Sequence, residues 1–515
     1  MQHPMHSLNA LFTDSYEFTM AKALYAQGKQ NDITDFDLFF RKVPHEGGYG
    51  IACGVEQALD YLANLKFDEG QLAYLQKTFN LGDEQIGDLR QMDLQLDVKG
   101  VREGTPVFPN EPIVTVSGPA WQCMLAEVAL LNAINFQTMV ATRASRIVQS
   151  AGDKPVLEFG ARRAHSGEAA LFGSRAAYIG GCAAVSLVEA GYRFDIPIKG
   201  TMAHSFIQHY GNDYDAFTAY VQTHPEAPTL LVDTFDTLRS GIPNAIKVFQ
   251  ENGITNGAIR IDSGDLAYLA KESRKALDKA GLSGIRITAS GGLDEHVIKD
   301  LIEIQKAPID AMGVGERLIT NAPEPVFGCV YKLEAVNGEP RIKVAEDAVK
   351  TTIPGRKDLY RLIGADGIAL ADVMTMPGEI IPDPFVLFNM NDPTQQKPVT
   401  GFTAVPLHVQ MFEKGQRVYQ SPSVREIREY SQAQMKHLHE TVTRLKKAHV
   451  YYVDITTDLC ALRDEMIVKH RQLTRGKTIE IDQKQLDGLN ALIKGRNKYN
   501  FTSLDGGGGS PNVQR

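Results

Sequence analysis

The sequence predicts an α/β protein: an irregular, TIM-like α/β barrel, preceded by an N-terminal α+β domain and followed by a C-terminal extension. Three observations carry that prediction. From Pro155 onward, short apolar runs recur at Val156–Phe159, Ile196–Ile198, Leu230–Val232, Ala258–Ile261, Ile285–Thr288 and Ile309–Met312, with room for one helix between successive runs. Strand–helix alternation at that period marks a parallel sheet, open or closed. The runs end in polar or glycine residues, namely Gly160-Ala161-Arg162-Arg163, His204, Asp233, Arg260 to Asp265, Ser290-Gly291-Gly292 and Gly313-Val314-Gly315. Residues just past the carboxyl ends of parallel barrel strands converge on one mouth, so endings in register imply a shared site. The third observation is a change of texture at Pro155, from helices mixed with proline-punctuated strands to this regular period.

Length and composition set the frame. A chain of 515 residues suggests roughly two to four domains. The expected divisions are an N-terminal α+β domain over 1–150, the barrel over 151–335, a C-terminal region over 336–500 that packs on the N-terminal domain, and a flexible tail over 503–515. Hydrophobic residues at 43% and charged residues at 23% are ordinary for a globular protein with a large core. A net charge of −8 argues against nucleic acid or an anionic membrane surface as the main partner. No apolar run approaches the roughly 18 residues that span a bilayer, and Met1 to Ala10 lacks the features of a signal peptide, so a cytoplasmic location is expected. Cys53, Cys123, Cys182, Cys329 and Cys460 form no C-x-x-C pair and read as small buried apolar residues.

In chain order, residues 11 to 27 read as an amphipathic helix with Thr13, Asp14 or Ser15 as N-cap and Gly28 as its stop. Asp35 to Arg41 suits a strand, Gly47 to Gly50 a turn, and Val55 to Leu65 a second helix. Gly48-x-Gly50 is followed by Gly54, one residue too late for a dinucleotide fingerprint. Leu94 to Ser117 is strand-like, and Leu125 to Ile147 is a long helix. Leu266–Ala280 and Asp294–Ile304 are barrel helices. Past Tyr331, a hairpin turns at Asn337-Gly338, Pro354-Gly355-Arg356-Lys357 is a basic turn, and Gly364 to Pro384 is irregular and strand-rich. Val424 to Lys446 is a charged helix whose His437 and His439 read as solvated, because i,i+2 residues do not share a helix face.

The chemistry lies at the strand ends. Lys199 to Ser205 places His204 just past one run, and Asp233 ends the next, so the two could meet at the mouth; alternatively His204 is a polar cap on the following helix. Ser290-Gly291-Gly292 and Gly313-Val314-Gly315 follow the last two strands, where barrels frequently bind phosphate on backbone N–H groups and a helix N-terminus. Ordinary βα turns would need the same glycines. Arg260, Asp262 and Asp265 suit a phosphorylated sugar, with arginine for charged oxygens and carboxylates for hydroxyls or Mg²⁺; a surface ion-pair network is the alternative. Arg162 and Arg163 add positive charge, and Phe159 an aromatic face. Gly476-Lys477-Thr478 is no Walker A motif because Arg471 stands where glycine is required, and neither an Asp-Asp pair, H-E-x-x-H nor G-x-S-x-G occurs.

Read together, eight collinear blocks resemble the nicotinate phosphoribosyltransferase family. They are Thr13-Asp14-Ser15-Tyr16, Phe39-Phe40-Arg41-Lys42, Glu158 to Ala164, Gly200 to Ser205, Val232 to Thr237, Arg260 to Leu266, Ala289 to Glu295 and Gly313-Val314-Gly315. The resemblance implies a dimer with shared sites that joins nicotinate to 5-phosphoribosyl 1-pyrophosphate, giving nicotinate mononucleotide and pyrophosphate with coupled ATP hydrolysis. It implies that ATP phosphorylates His204 and that Asp233 orients it. Tyr16 of the other subunit and Phe159 would sandwich the pyridine ring, and Thr201, Ser205 and Arg260 would contact substrate. Asp262 and Asp265 would serve the ribose and Mg²⁺, and Ser290, Gly291, Gly292, Gly313 and Gly315 the 5-phosphate.

Two departures stand out. Many relatives follow Gly-x-Gly with threonine, whereas Glu316 follows here. Gly180 to Ser186 contains no acid, whereas the nicotinamide-using relative has an aspartate thereabouts; that favours a carboxylate ligand near Arg162 or Arg163. The rival readings are a nicotinamide or quinolinate phosphoribosyltransferase, a silent binding protein of the NAD pathway, and another sugar-phosphate barrel enzyme.

Overall fold

The computed structural model describes residues 8–345, 350–389 and 396–474. The chain divides into a unit from Met1 to Arg463, which holds the sheets and the site, and another from Asp464 to Arg515. Gly476-Lys477-Thr478, the end of the 336–500 region and the 503–515 tail lie outside the described residues.

The barrel sheet has six parallel strands, in the order Ala184–Val185, Val156–Glu158, Ala311–Val314, Arg286–Ser290, Ala258–Ile261 and Thr229–Leu231. A parallel bridge between Val185 and Ile198 adds one further segment at the Ala184 edge. The chain thus runs round the wall in sequence order and returns to Val156, except that among the described residues no strand pairing crosses from Ile198 to Thr229. The barrel is irregular because of this seam. Its strands are buried on successive residues (Leu230-Leu231, Ala258-Ile259, Ile287 to Ser290 and Met312 to Val314), as a parallel sheet covered on both faces requires. Helices Ile242–Glu251 and Leu266–Lys279 pack outside it through Ala245, Val248, Phe249, Ala267, Ala270 and Leu277.

Some expectations shift. The short strand Ala184–Val185 has too few residues to leave a periodic signal, and Ile196–Ile198 makes only the bridge. After the first glycine turn, Glu295–Lys299 runs on into the π-helical segment Asp300–Ile304, in line with the helix expected over Asp294–Ile304; after the second, Glu316–Ile319 is a single turn, so anion binding there would rest on local N–H groups rather than on a helix dipole. The charged helix ends at Met435, and Glu440–Thr443 is a separate turn of helix; His437 Nδ1 lies 2.7 Å from the Gly367 carbonyl, and the exposed His439 caps that turn. Cys53, Cys123 and Cys182 are buried, whereas Cys329 and Cys460 are half-buried.

The N-terminal layer is an antiparallel seven-stranded sheet ordered Glu339–Pro340, Cys329–Val336, Ile33–Phe40, Val114–Pro119, Asp97–Val101, His408–Glu413 and Gln416–Arg417. Cys329–Val336, which the sequence assigns to the end of the barrel region, therefore belongs to this sheet, and the chain leaves the barrel after Glu316–Ile319. The basic turn finds its partners here: Arg356 Nε donates to Asp35 at 2.6 Å, and Lys357 Nζ pairs with Asp37 at 2.9 Å. A third sheet, with strands Asp358–Gly364 and Ala369–Thr375 at its centre, is tied to the N-terminal layer by Arg361, which pairs with Asp372 at 2.6 Å and donates to the Pro106 carbonyl at 2.8 Å.

Helix Ala120–Ala151, 32 residues long, joins the two main cores. Trp121 to Met139 pack into the N-terminal core, and Val140 to Ala151 into the barrel core. By length and composition it is the one helix among the described residues apolar enough to cross a membrane, which the absence of an unbroken apolar run conceals. Its apolar surface is instead spent on two protein interiors. A wholly buried pair, Arg175–Glu103 at 2.6 Å, fastens the adjoining barrel helix Gly167–Ile179 to the N-terminal layer, and Gln137 of the long helix accepts from Arg175 at 3.0 Å.

Candidate active site

All the strand ends meet at one mouth. A cavity of about 540 Å³ is lined by Phe159, Arg162, Ser186, Thr201, His204, Ser205, Arg260 and Asp262 among others. A smaller lobe of about 200 Å³ shares Phe159, Arg162, Arg260 and Asp262, and adds Arg163, Ser290, Gly291, Gly292, Gly313, Gly315 and Glu316. Both glycine turns thus form one end of the site, and the Gly200 to Ser205 loop forms the other.

Arg260 is the hub. Its guanidinium donates to Ser290 Oγ at 2.8 Å, Thr201 Oγ1 at 2.9 Å and Asp262 Oδ1 at 2.7 Å, and it lies 5.4 Å from the centre of the Phe159 ring. These bonds fix a planar cation across the cavity floor, so the cluster is a built site rather than a surface network. Ser290 Oγ also donates to Asp262 Oδ1. Burial works to raise the Asp262 carboxyl, but Ser290, Arg260 and His204 more than offset it and hold it below the ordinary carboxylate range. Asp262 is therefore an anion at neutral pH, with Oδ2 left over for a ligand or for the histidine.

His204 opens the helix His204–Tyr210 and lines the larger cavity, so it is a wall residue as well as a helix-terminal one. Its Nδ1 lies 3.0 Å from Thr234 Oγ1. Its Nε2 faces Asp233 Oδ1 at 3.9 Å and Asp262 Oδ2 at 3.8 Å. Asp233 is held by the Asp262 N–H at 3.1 Å and the Ser263 hydroxyl at 2.6 Å, both on Oδ2, while its buried Oδ1 has no hydrogen-bond partner. Asp233 thus faces the ring at ion-pair range, and the hydrogen bond that fixes the ring comes from Thr234. The imidazole stands between one hydroxyl, on the Nδ1 side, and two carboxylates, on the Nε2 side.

The aromatic wall is set from beneath. Glu158, fully buried, accepts from the Gly160 N–H and from Ser174 Oγ, which fixes the turn that presents Phe159. A Cβ on Gly313 would stand 2.5 Å from Phe159 Cδ2 and Cε2, so the ring lies flush against the glycine backbone. At Gly291, φ is +93° and a Cβ would stand 2.1 Å from the Asp262 carbonyl, so only glycine lets that turn close on the Asp262 strand end.

Three expected residues are not in these walls: Asp233, whose nearly buried side chain stands behind His204, Asp265 and Tyr16. Asp265 is exposed and caps the helix Leu266–Lys279, accepting from the Tyr268 N–H at 3.0 Å. Tyr16 stands 43% exposed on the helix Ser15–Ala26, and its hydroxyl is pushed up to about 12 by partial burial and by Glu127, Glu17 and Asp14. Three contributors carried no role in the sequence reading. Thr234 and Ser263 sit directly beside Asp233 and Asp262 in blocks already singled out, and Ser186 ends the short strand Ala184–Val185, which left no signal.

A parallel barrel with one open seam, a guanidinium–carboxylate floor, a held histidine and glycine turns at one end defines a pocket for an anionic, hydroxyl-bearing small molecule. Comparisons with known proteins make this specific. The nicotinate phosphoribosyltransferase N-terminal domain family matches residues 11–135, the quinolinate phosphoribosyl transferase C-terminal domain family residues 140–324, and the nicotinate phosphoribosyltransferase C-terminal domain family residues 356–463. The nicotinate phosphoribosyltransferase of Bacillus subtilis is 43% identical over 458 residues, covering 87% of this chain and 93% of that protein. That of Caenorhabditis elegans is 33% identical over 512 residues, covering 87% and 90%. The crystal structure of human nicotinic acid phosphoribosyltransferase superposes with a TM-score of 0.77 at 28% identity, over 88% of this chain and all of that one. The chain belongs to the nicotinate phosphoribosyltransferase family.

Proposed function

We propose that the protein transfers the phosphoribosyl group of 5-phosphoribosyl 1-pyrophosphate to nicotinate, the first step of NAD salvage from nicotinate. The observation that carries the reading is the convergence of His204, Asp233, Arg260, Asp262 and both glycine turns on one mouth. Nicotinate lies against Phe159 with its carboxylate toward Arg162, and Tyr16 of a second copy covers the other face. The 5-phosphate occupies the smaller lobe, on the N–H groups of the two glycine turns and the Arg162 and Arg163 guanidiniums.

The pyridine nitrogen attacks C1 of the ribose with its own lone pair, the C1–O bond to pyrophosphate breaks, and no general base is required. The transition state resembles an oxocarbenium ion, so rate comes from positioning and electrostatics. Asp262 faces the ribose while Arg260 fixes its carboxylate. Mg²⁺ fits as an ion carried largely by substrate phosphates, because Asp262 Oδ2 is spare whereas Asp265 is committed to its helix cap. Bound there, it would neutralise the departing pyrophosphate.

ATP coupling is part of the same proposal. His204 Nδ1 attacks the γ-phosphorus, the N–P bond forms as the P–O bond to ADP breaks, and water later releases phosphate from the histidine. The added charge of about −1.5 to −2 beside the donor site aligns the pyrophosphate end. The support is the placement of His204 at the cavity wall, held by Thr234 and faced by Asp233 and Asp262. The test is nicotinate mononucleotide formation with and without ATP, alongside His204→Ala. Loss of ATP stimulation with retained basal transfer is expected; unchanged stimulation contradicts the phosphohistidine route, and no product from nicotinate in any condition contradicts the transferase.

A further inference from the structure

The smaller lobe contains an anion where an anion should bind. Glu316 follows the second glycine turn, lines the lobe, and lies 3.7 Å from Arg163 Nε. Arg260, which also lines the lobe, already has its hydrogen bonds distributed among Ser290, Thr201 and Asp262. The lobe's uncommitted positive charge is therefore Arg162 and Arg163, and Glu316 neutralises part of it. A phosphate monoester brings about −1.5 to −2 charges into the same space of about 200 Å³. Glu316 and the phosphate cannot both hold Arg163 without facing each other as like charges.

We infer that Glu316 is a specificity-determining residue: a built-in competitor for Arg163 that sets how much negative charge a ligand must bring to occupy the lobe. A phosphate tethered to a ribosyl pyrophosphate, anchored also at the Arg260–Asp262 floor, displaces the carboxylate. Free inorganic anions, held at the lobe alone, do so poorly. Both side chains are more than half exposed, 59% for Arg163 and 61% for Glu316, so the carboxylate can swing into solvent when displaced. Threonine at this position would bind a phosphate but would not discriminate by charge. This inference rests on the reading of the smaller lobe as the 5-phosphate seat.

The experiment measures steady-state kinetics with the phosphoribosyl donor varied, and inhibition by inorganic phosphate and by ribose 5-phosphate, in Glu316→Gln, Arg163→Ala, the double variant and Arg162→Ala. Glu316→Gln should lower the inhibition constant of inorganic phosphate roughly three- to fivefold, the scale of a charge interaction at a solvated rim, and the donor KM by less than about twofold, with kcat within about twofold. In the Arg163→Ala background the same substitution should leave the phosphate inhibition constant within about twofold, because the two residues act through each other. A phosphate inhibition constant that rises or stays constant in Glu316→Gln, or that falls only in step with the donor KM, while Arg162→Ala raises the donor KM, overturns the role of Glu316 alone. If neither arginine variant changes donor KM or phosphate inhibition, the lobe is not the phosphate seat, and the inference falls with that reading.

Discussion

His204 and Thr234 face each other across the open seam of the barrel, Nδ1 to Oγ1 at 3.0 Å, while Asp233 and Asp262 occupy the far side of the imidazole at 3.9 and 3.8 Å. The threonine hydroxyl orients the ring, and the aspartates lie where they would stabilise it as a cation. On the proposed phosphohistidine route, Thr234→Val should lower ATP stimulation roughly fivefold, the worth of one hydrogen bond, and leave ATP-independent transfer intact. Thr234→Ser should restore it. A valine variant with full ATP stimulation removes Thr234 from the mechanism.

The Phe159 ring lies flush against Gly313. Gly313→Ala meets no φ restriction but puts a methyl 2.5 Å from two ring carbons. The ring must shift off the glycine backbone, and overpacking of this kind costs about 1–3 kcal/mol. The expected result is a nicotinate KM raised about tenfold with a smaller change in donor KM, together with a lower melting temperature. Equal rises in both KM values would mean that the ring does not serve the pyridine.

Ser186 shares the wall with Arg162. Ser186→Asp places a carboxylate beside the position proposed for the nicotinate carboxylate. Turnover of nicotinate should fall by roughly tenfold or more, and nicotinamide should gain relative to it. Parallel assays with the acid and the amide measure the ratio; an unchanged ratio places the pyridine substituent elsewhere.

Much of this site was legible in the sequence because barrel topology converts order along the chain into position round a rim. The Gly160 to Arg163 turn, His204, Arg260, Asp262 and both glycine turns line the two lobes, and Asp233 stands directly behind His204. What escaped was whatever left no periodic trace. The Ala184–Val185 strand is two residues long, so Ser186 had no run to end. The boundary drawn at 335 places Cys329 to Ala335 with the barrel, and only the pairing of Cys329–Val336 with Ile33–Phe40 assigns that strand to the N-terminal layer. Asp265 shows the limit of adjacency: three residues beyond Asp262, it has already become the cap of the next helix.

Two histidines outside the site predict the acid limb of stability. Burial, assisted by Arg143 beside His45 and by Lys99 beside His408, pushes both down to about 4 from 6.5. The unfolded chain therefore takes up these protons first. Their contribution is complete above about 6.5 and is lost as pH falls through 4. Melting temperature should drop across that window. His408→Gln, which retains a donor for the Pro112 carbonyl now 2.7 Å from Nε2, should flatten the drop. An identical slope in the variant excludes His408 as a source.

The buried Arg175–Glu103 pair offers a test of how the layers are joined. Glu103→Ala strands a guanidinium with no exposed surface, and breaking one side of such a pair costs about 3–5 kcal/mol. Denaturant unfolding should register that loss. A cost below about 1 kcal/mol would mean that the apolar faces of the long helix alone hold the layers together.

The seam between Ile198 and Thr229 gives the barrel an unusual mechanical property. Parting the strands of the six-stranded sheet means tearing a backbone ladder, whereas among the described residues the hydrogen bonds across this gap are side-chain links such as Arg260 to Thr201 and His204 to Thr234, each worth about 0.5–1.5 kcal/mol. The two loops on either bank of this gap bear the histidine and its aspartate. A molecule that grips both banks acts as the missing stave, so occupancy and completion of the cylinder become one event.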